Sequence, residues 1–336
     1  MKKLLLLSLL VAIGSTSFAQ DCFCGKSNIS ENGIANGVAI LENVATKKLI
    51  PYETVREADV IWSKKVWSYI DLREKINLPL HYPLDEITAT GFWIQNTQNV
   101  SLWSIIRCNV LAGNLTLFSP FSPNNLFGKR DGDQLKYPVK PAPGKNFYTD
   151  ASFKEEALYY FGKLGPQSDI PLTDEFGEAM VEEINGVQSV VYAARDTIWY
   201  TSADIIQYRI KEEWFFDKER GKMDTRILAI APVVLDYEYN AAGDKVLLGA
   251  KELFWLHFPE CRYIFNNYLL QNPQNDAQMM SFDDLFWKHR FNAVVYKESN
   301  IYDRTIEEYA SGVDALYESQ RIREEIRTIE SDVWSF

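Results

Sequence analysis

Histidine, cysteine and net positive charge are what this sequence has least of. Among 336 residues stand 3 His and 4 Cys, and 35 Lys and Arg are outweighed by 46 Asp and Glu, for a formal net charge of −11. The acidic balance excludes a nucleic-acid backbone as the main partner, because phosphate binding rests on clustered Lys and Arg. Past the N-terminus no apolar run reaches the roughly 18 residues that a membrane-spanning helix needs. There is no G-x-S-x-G elbow, no glycine-rich phosphate loop and no H-E-x-x-H helix. The histidines are scattered at His81, His257 and His289; His257, inside an apolar run, reads as a core residue rather than a metal ligand. Hydrolysis without a metal or a Ser–His–Asp set needs two facing carboxylates. Asp283-Asp284 and Glu182-Glu183 are only neighbours in sequence, and adjacent helical residues do not face each other. The expectation is a protein that is not an enzyme, with no catalytic residue, cofactor or metal.

What is present describes an exported globular protein. Hydrophobic residues make up 46% and charged residues 24%, ordinary for a soluble fold. Aromatic residues reach 14%, enough for a rigid core or for surfaces buried against other proteins. Lys2 and Lys3, the apolar run Leu4–Ile13 and the small-residue close at Ser17-Phe18-Ala19 read as a secretory signal peptide over 1–19. Cys22 follows Asp21, not the small residue that a lipid-acceptor cysteine requires. Export permits disulfides. Cys22 and Cys24 are disulfide candidates, with a partner or with Cys108 or Cys261; the alternative is a flexible N-terminal stretch.

Along the chain, 20–50 reads as a polar arm, 51–118 as a first lobe, 119–149 as a Pro/Gly-rich loop, 150–304 as a second α+β lobe and 305–336 as a charged C-terminal helix. The fold class expected is α+β, mixing helices with antiparallel sheet. A helical period begins near Glu53, through Val55, Ala58, Ile61, Trp62, Val66, Tyr69 and Ile70, with Thr54 and Glu57 as a capping box. A second helix is expected over Leu102–Leu117 and a third over Asp174–Glu183. Five of the 13 prolines fall between Ser119 and Asn146, marking a boundary or an interface loop. Strands are expected at Gln188–Tyr192, Asp196–Tyr200, Arg226–Tyr239, Val246–Phe258 and Phe291–Tyr296, with a hairpin turn at 240–244 and a short helix opened by Pro259. The final helix, Thr305–Val333, has a weak point at Gly312. It carries two stripes, one of Ile306, Tyr309, Val313 and Leu316, the other of Ile322, Ile326, Ile329 and Val333. At least one stripe is expected to pack on a neighbouring subunit. A weak repeat links the segments starting at Asp59, Asp204 and Asp284. Each puts two apolar residues, a bulky one and basic ones after an acidic residue.

Aromatic–charged clusters are the remaining signal. Such mixtures suit protein contacts, with aromatic and Arg anchors inside a polar rim. Trp62, Trp67, Tyr208, Arg209, Trp214, Phe215, Trp287 and Arg290 are the partner-binding candidates, of which at least half are expected to be core. Two strings carry a resemblance. The first is Val55-Arg56-Glu57-Ala58-Asp59-Val60-Ile61-Trp62-Ser63-Lys64-Lys65-Val66-Trp67, with Ile70-Asp71-Leu72-Arg73-Glu74-Lys75 and Pro79-Leu80-His81-Tyr82-Pro83. The second is Tyr208-Arg209-Ile210-Lys211-Glu212-Glu213-Trp214-Phe215-Phe216-Asp217-Lys218, followed by Arg226-Ile227 and Ala229-Ile230-Ala231-Pro232. Over about residues 50 to 300 the chain resembles the GldN/PorN family of gliding-motility and type IX secretion components of Bacteroidota. The resemblance implies a structural subunit of the periplasm, peripheral to the outer membrane. It implies self-association in a ring with a lipoprotein of the GldK/PorK type. It also implies coupling to the inner-membrane motor through a shaft protein of the GldM/PorM type. The alternatives are a periplasmic glycan- or peptidoglycan-binding module, with exposed Trp and Tyr as platforms, and a cryptic hydrolase.

Overall fold

The computed structural model describes residues 49–87, 93–94, 99–123, 130–164, 181–184, 187–190, 197–239, 245–270 and 280–334. The signal peptide, residues 20–48 of the arm with Cys22 and Cys24, and the 240–244 turn lie outside them. So does most of the expected Asp174–Glu183 helix, whose described end belongs to a strand, Val181–Ile184, paired with Val187–Val190.

One antiparallel sheet of eight strands organises the rest. Its members are β1 (Val60–Asp71), β2 (Leu117–Phe118), β3 (Pro138–Val139), β4 (Ile205–Asp217), β5 (Lys222–Tyr239), β6 (Lys245–Glu252), β7 (Trp255–His257) and β8 (Val294–Glu298). The order is β8-β1-β4-β5-β7-β2-β3, with β6 also on β5. Around it stand α1 (Leu78–His81), α2 (Leu102–Leu111), α3 (Ala151–Phe161), α4 (Phe258–Phe265), α5 (Phe282–Trp287) and α6 (Val313–Trp334). The α+β class expected from the sequence holds. Strands from 51–118, 119–149 and 150–304 all join this sheet, and one apolar core draws on Ile70, Trp103, Phe147, Phe161, Tyr208 and Phe286.

The helix expected from Glu53 is not formed. A single 3-10 turn, Glu57–Asp59, follows Arg56 without a side-chain cap, and the chain then runs as β1. The reason is visible in the spacing. Trp62, Val66 and Ile70 are four apart, and a step of four returns to the same face in a helix and in a strand alike. The Val, Ile, Trp and Tyr content then favours the strand. Asp59 and Asp204 each close such a 3-10 turn, and the strands they open, β1 and β4, pair with each other from Val60↔Asp217 to Asp71↔Gln207. The segment starting at Asp284 departs from this plan, because it lies in helix α5.

Turn and cap chemistry sets the remaining boundaries. Ser101 caps α2 by accepting from Ser104 N at 3.1 Å. The helix stops at Leu111 rather than Leu117, because Gly113 is left-handed (φ +82°) and its missing Cβ leaves room for Pro141, whose Cγ would lie 2.9 Å from one. Thr201–Asp204 and Ser281–Asp284 form capping boxes. Pro232, which has no N–H to donate, sits where the flank of β5 passes from β7 to β6, and its carbonyl accepts from Leu253 N at 3.0 Å.

The C-terminal segment differs from a single long helix. A 3-10 turn spans Ile306–Glu308, Gly312 turns left-handed at φ +61°, and α6 begins only at Val313. Its 22 residues extend about 33 Å at about 1.5 Å each.

Candidate functional site

Most of the aromatic anchors named from sequence are used inside the chain. Trp67, Tyr208 and Phe215 are buried. Alternation along β1 and β4 sends Trp67 and Arg209 to one face of the sheet, and Tyr208, Val66 and Trp214 to the other. On the first face Lys211 and Lys297 flank the Trp67 ring at 5.2 and 4.8 Å, and its indole N–H donates to Asp133 at 3.1 Å. Arg209 pairs with Glu252, which also accepts the Trp255 indole N–H at 3.1 Å, and lies 4.8 Å from the Tyr296 ring. These ion pairs, indole hydrogen bonds and cation–ring contacts tie the layer into a packed polar seam, although the Arg209 Nε is buried without a hydrogen-bond partner among the described residues. Trp62 and Trp214 are half-buried beside the C-terminal helix. Only Trp287 and Arg290 of the eight are exposed. Trp287 stacks on Tyr52 at 5.3 Å, with the Arg262 guanidinium 4.2 Å from one ring and 4.6 Å from the other. Arg262 is buried, is bound bidentately by Asp283 at 2.7 and 3.1 Å, and donates to the Ile50 carbonyl at 2.8 Å. That clamp fixes the chain where it emerges from the arm. His257 is not a core residue: it stands at the start of α4, 38% exposed, 3.2 Å from Glu260. Cys108 is disulfide-bonded, whereas Cys261 is free and buried.

The surface that remains is built around α6. Its inner face, with Ile322 and Ile326 buried, packs on Val66, Val295 and Ile306 in a small second core. Burying each such side chain is worth about 1.5–3 kcal/mol. Polar ties fix the register: Val295 N on the edge strand β8 donates to Ser319 Oγ at 3.0 Å, closing a position that an open sheet edge leaves unpaired. Lys64 bridges Glu298 at 2.7 Å and Glu325 at 3.5 Å. Thus the second predicted stripe is core as far as Ile326; the side chain of Val333 lies outside the described residues. The first stripe splits. Ile306 is buried, but Tyr309, Val313 and Leu316 are 43, 64 and 55% exposed, and Tyr317 beside them is 67% exposed.

Beneath α6 an open cleft of about 280 Å³ reaches the sheet, lined on the sheet side by Val66, Glu212 and Trp214 and on the helix side by Arg323, Ile326 and Arg327. His289, Phe291 and Asn292 close one flank. His289 ends α5 in the left-handed region, φ +45°, a conformation His tolerates better than bulky apolar residues. Its Nε2 meets the buried Glu212 carboxylate at 3.0 Å. Burial opposes the imidazolium, but the hydrogen bond and charge of Glu212 outweigh it and raise the His289 pKa. Arg323 and Arg327 carry no signal in the sequence. Their spacing of four on a charged helix reads as a solvated face, and nothing local marks them as lining a cleft. Among the described residues no group of His, Cys, Asp and Glu is arranged to hold a metal, and no helix is long and apolar enough to cross a membrane.

A family model described as "Gliding motility associated protein GldN" matches residues 55–335. The chain belongs to the GldN family. Membership ties it to gliding motility, and the match runs through α6, beyond the stretch that the sequence strings covered. No curated protein matches the chain. In this GldN-family chain the exposed stripe and the cleft therefore both lie within the family's own domain.

Proposed function

We propose that this GldN-family protein is a structural ring subunit of the type IX secretion and gliding machinery, on the periplasmic side of the outer membrane. The observation that carries the reading is the family match over residues 55–335. In this reading the signal peptide exports the chain, and a ring lipoprotein of the GldK/PorK type holds it at the outer membrane. Force reaches the ring from the inner-membrane motor through a shaft of the GldM/PorM type. The subunit does mechanical work and no chemistry. The exposed apolar stripe of Tyr309, Val313, Leu316 and Tyr317 suits a repeated contact with a neighbouring subunit, since such residues form the centres of protein interfaces when ringed by charge. The charged rim here is Glu318, Arg321 and Glu325, with Arg321 pairing to Glu318 at 2.7 Å and to Glu325 at 3.0 Å.

The reading is tested by fractionation. The protein should sediment with outer membranes from wild-type cells and appear in the soluble periplasmic fraction of cells lacking the lipoprotein. Continued sedimentation in those cells would exclude anchoring by that partner.

A further inference from the structure

The cleft under α6 carries two arginines that no described residue pairs directly. Arg323 and Arg327 line it one helical turn apart, hence on one face of the helix. Neither guanidinium has a hydrogen-bond or ion-pair partner among the described residues, whereas Arg321 on the same helix binds both Glu318 and Glu325. Arg323 is exposed as a whole, yet the helix and sheet withdraw enough of it from water to hold its pKa below the usual arginine value. Two carboxylates act on Arg323 without touching it: Glu212, which spends an oxygen on His289, and Glu74, which accepts from Asn292. So a chain with a formal charge of −11 holds, at the mouth of an apolar-floored cleft, two guanidiniums that no described residue pairs. A guanidinium partly removed from water gains most from a charged acceptor, and its planar fork matches a carboxylate.

The size and lining of the cleft suit a carboxylate carried on a short side chain. Pockets for drug-sized molecules span about 300–1,000 Å³, and this cleft, at about 280 Å³, is smaller. It has room for an acidic side chain and its flanking carbons. The Trp214 and Phe291 rings supply an apolar wall for those carbons. We propose that the cleft is a receptor for an Asp or Glu side chain of a partner polypeptide, held by Arg323 and Arg327. The site is a property of the single chain and stands whether or not the ring reading holds.

The test uses the mature protein and two blocked alanine-based pentapeptides, one with a central glutamate and one with a central glutamine, titrated by ligand-observed NMR. The glutamate peptide should bind saturably and at least tenfold more tightly. Arg323→Gln with Arg327→Gln should abolish that preference, and Arg321→Gln should keep it. A second readout needs no variant: the glutamate peptide should protect Arg323 and Arg327 of the native protein from phenylglyoxal, scored by peptide mass, and leave Arg321 unprotected. Equal binding of the two peptides, absence of binding, or a preference that survives the double substitution would overturn the proposal. So would a muramyl disaccharide that protects these arginines while the glutamate peptide does not.

Discussion

Replacing Ile322 with alanine separates the inner face of α6 from its outer face. Ile322 is fully buried and touches a cluster of only four other buried residues, Val66, Val295, Ile306 and Ile326. Ile→Ala in a core costs about 2–5 kcal/mol, less where the surroundings can close on the void. This cluster borders an open cleft, so the lower end, about 2–3 kcal/mol, is expected. Against a net stability of about 5–15 kcal/mol the fold should survive. Leu316→Ala on the same helix, at a position 55% exposed, should change stability by no more than about 0.5 kcal/mol. Urea unfolding followed by tryptophan fluorescence is the assay. With a slope of about 3 kcal/mol per M, Ile322→Ala should lower the midpoint by a little under about 1 M and Leu316→Ala should leave it in place. Equal shifts for the two would refute the assignment of the outer stripe as unspent surface.

Three other outcomes follow from the structure. Asp283→Ala strands the buried Arg262 guanidinium and should cost about 3–5 kcal/mol; a midpoint unchanged in urea would show that the clamp contributes nothing. The His289–Glu212 pair gives stability a pH dependence. Because the folded pKa of His289 is raised, its contribution is complete below the unfolded value of about 6.5 and is lost as pH climbs through the higher folded value. NMR titration of His289 should therefore give a midpoint above that of the unfolded chain, and Glu212→Gln should bring it down; an unmoved midpoint would contradict the pairing. Burial pushes the Cys261 thiol well up, so a maleimide should label it in denaturant and not in the native protein.

Local chemistry was the part of the fold written most plainly in the chain. The capping pairs Thr201–Asp204 and Ser281–Asp284, the β-rich run ending at Tyr239 and the left-handed Gly312 all sit where short-range rules place them. β1 was misread because its apolar residues recur at four, a spacing common to both periods. At least half of the anchor candidates were expected to be core, and composition could not say which, because it does not tell a tryptophan that meets a partner from one such as Trp67, held between two lysines of the same sheet. The cleft was invisible for a different reason. Its residues come from β1, β4, the stretch after α5, β8 and α6, and the pairing of β1 with β4 and β8 gathers them. Sequence separation of that size leaves no periodic trace.

The measurement closest to the central claim is electron microscopy of the protein purified from outer-membrane fractions, comparing the native chain with Leu316→Asp/Tyr317→Asp. Both positions are exposed in the single chain, so the variant should keep the native urea midpoint. The account predicts closed rings for the native protein, and folded, separate subunits for the variant. Rings of unchanged form and yield from the variant would contradict it.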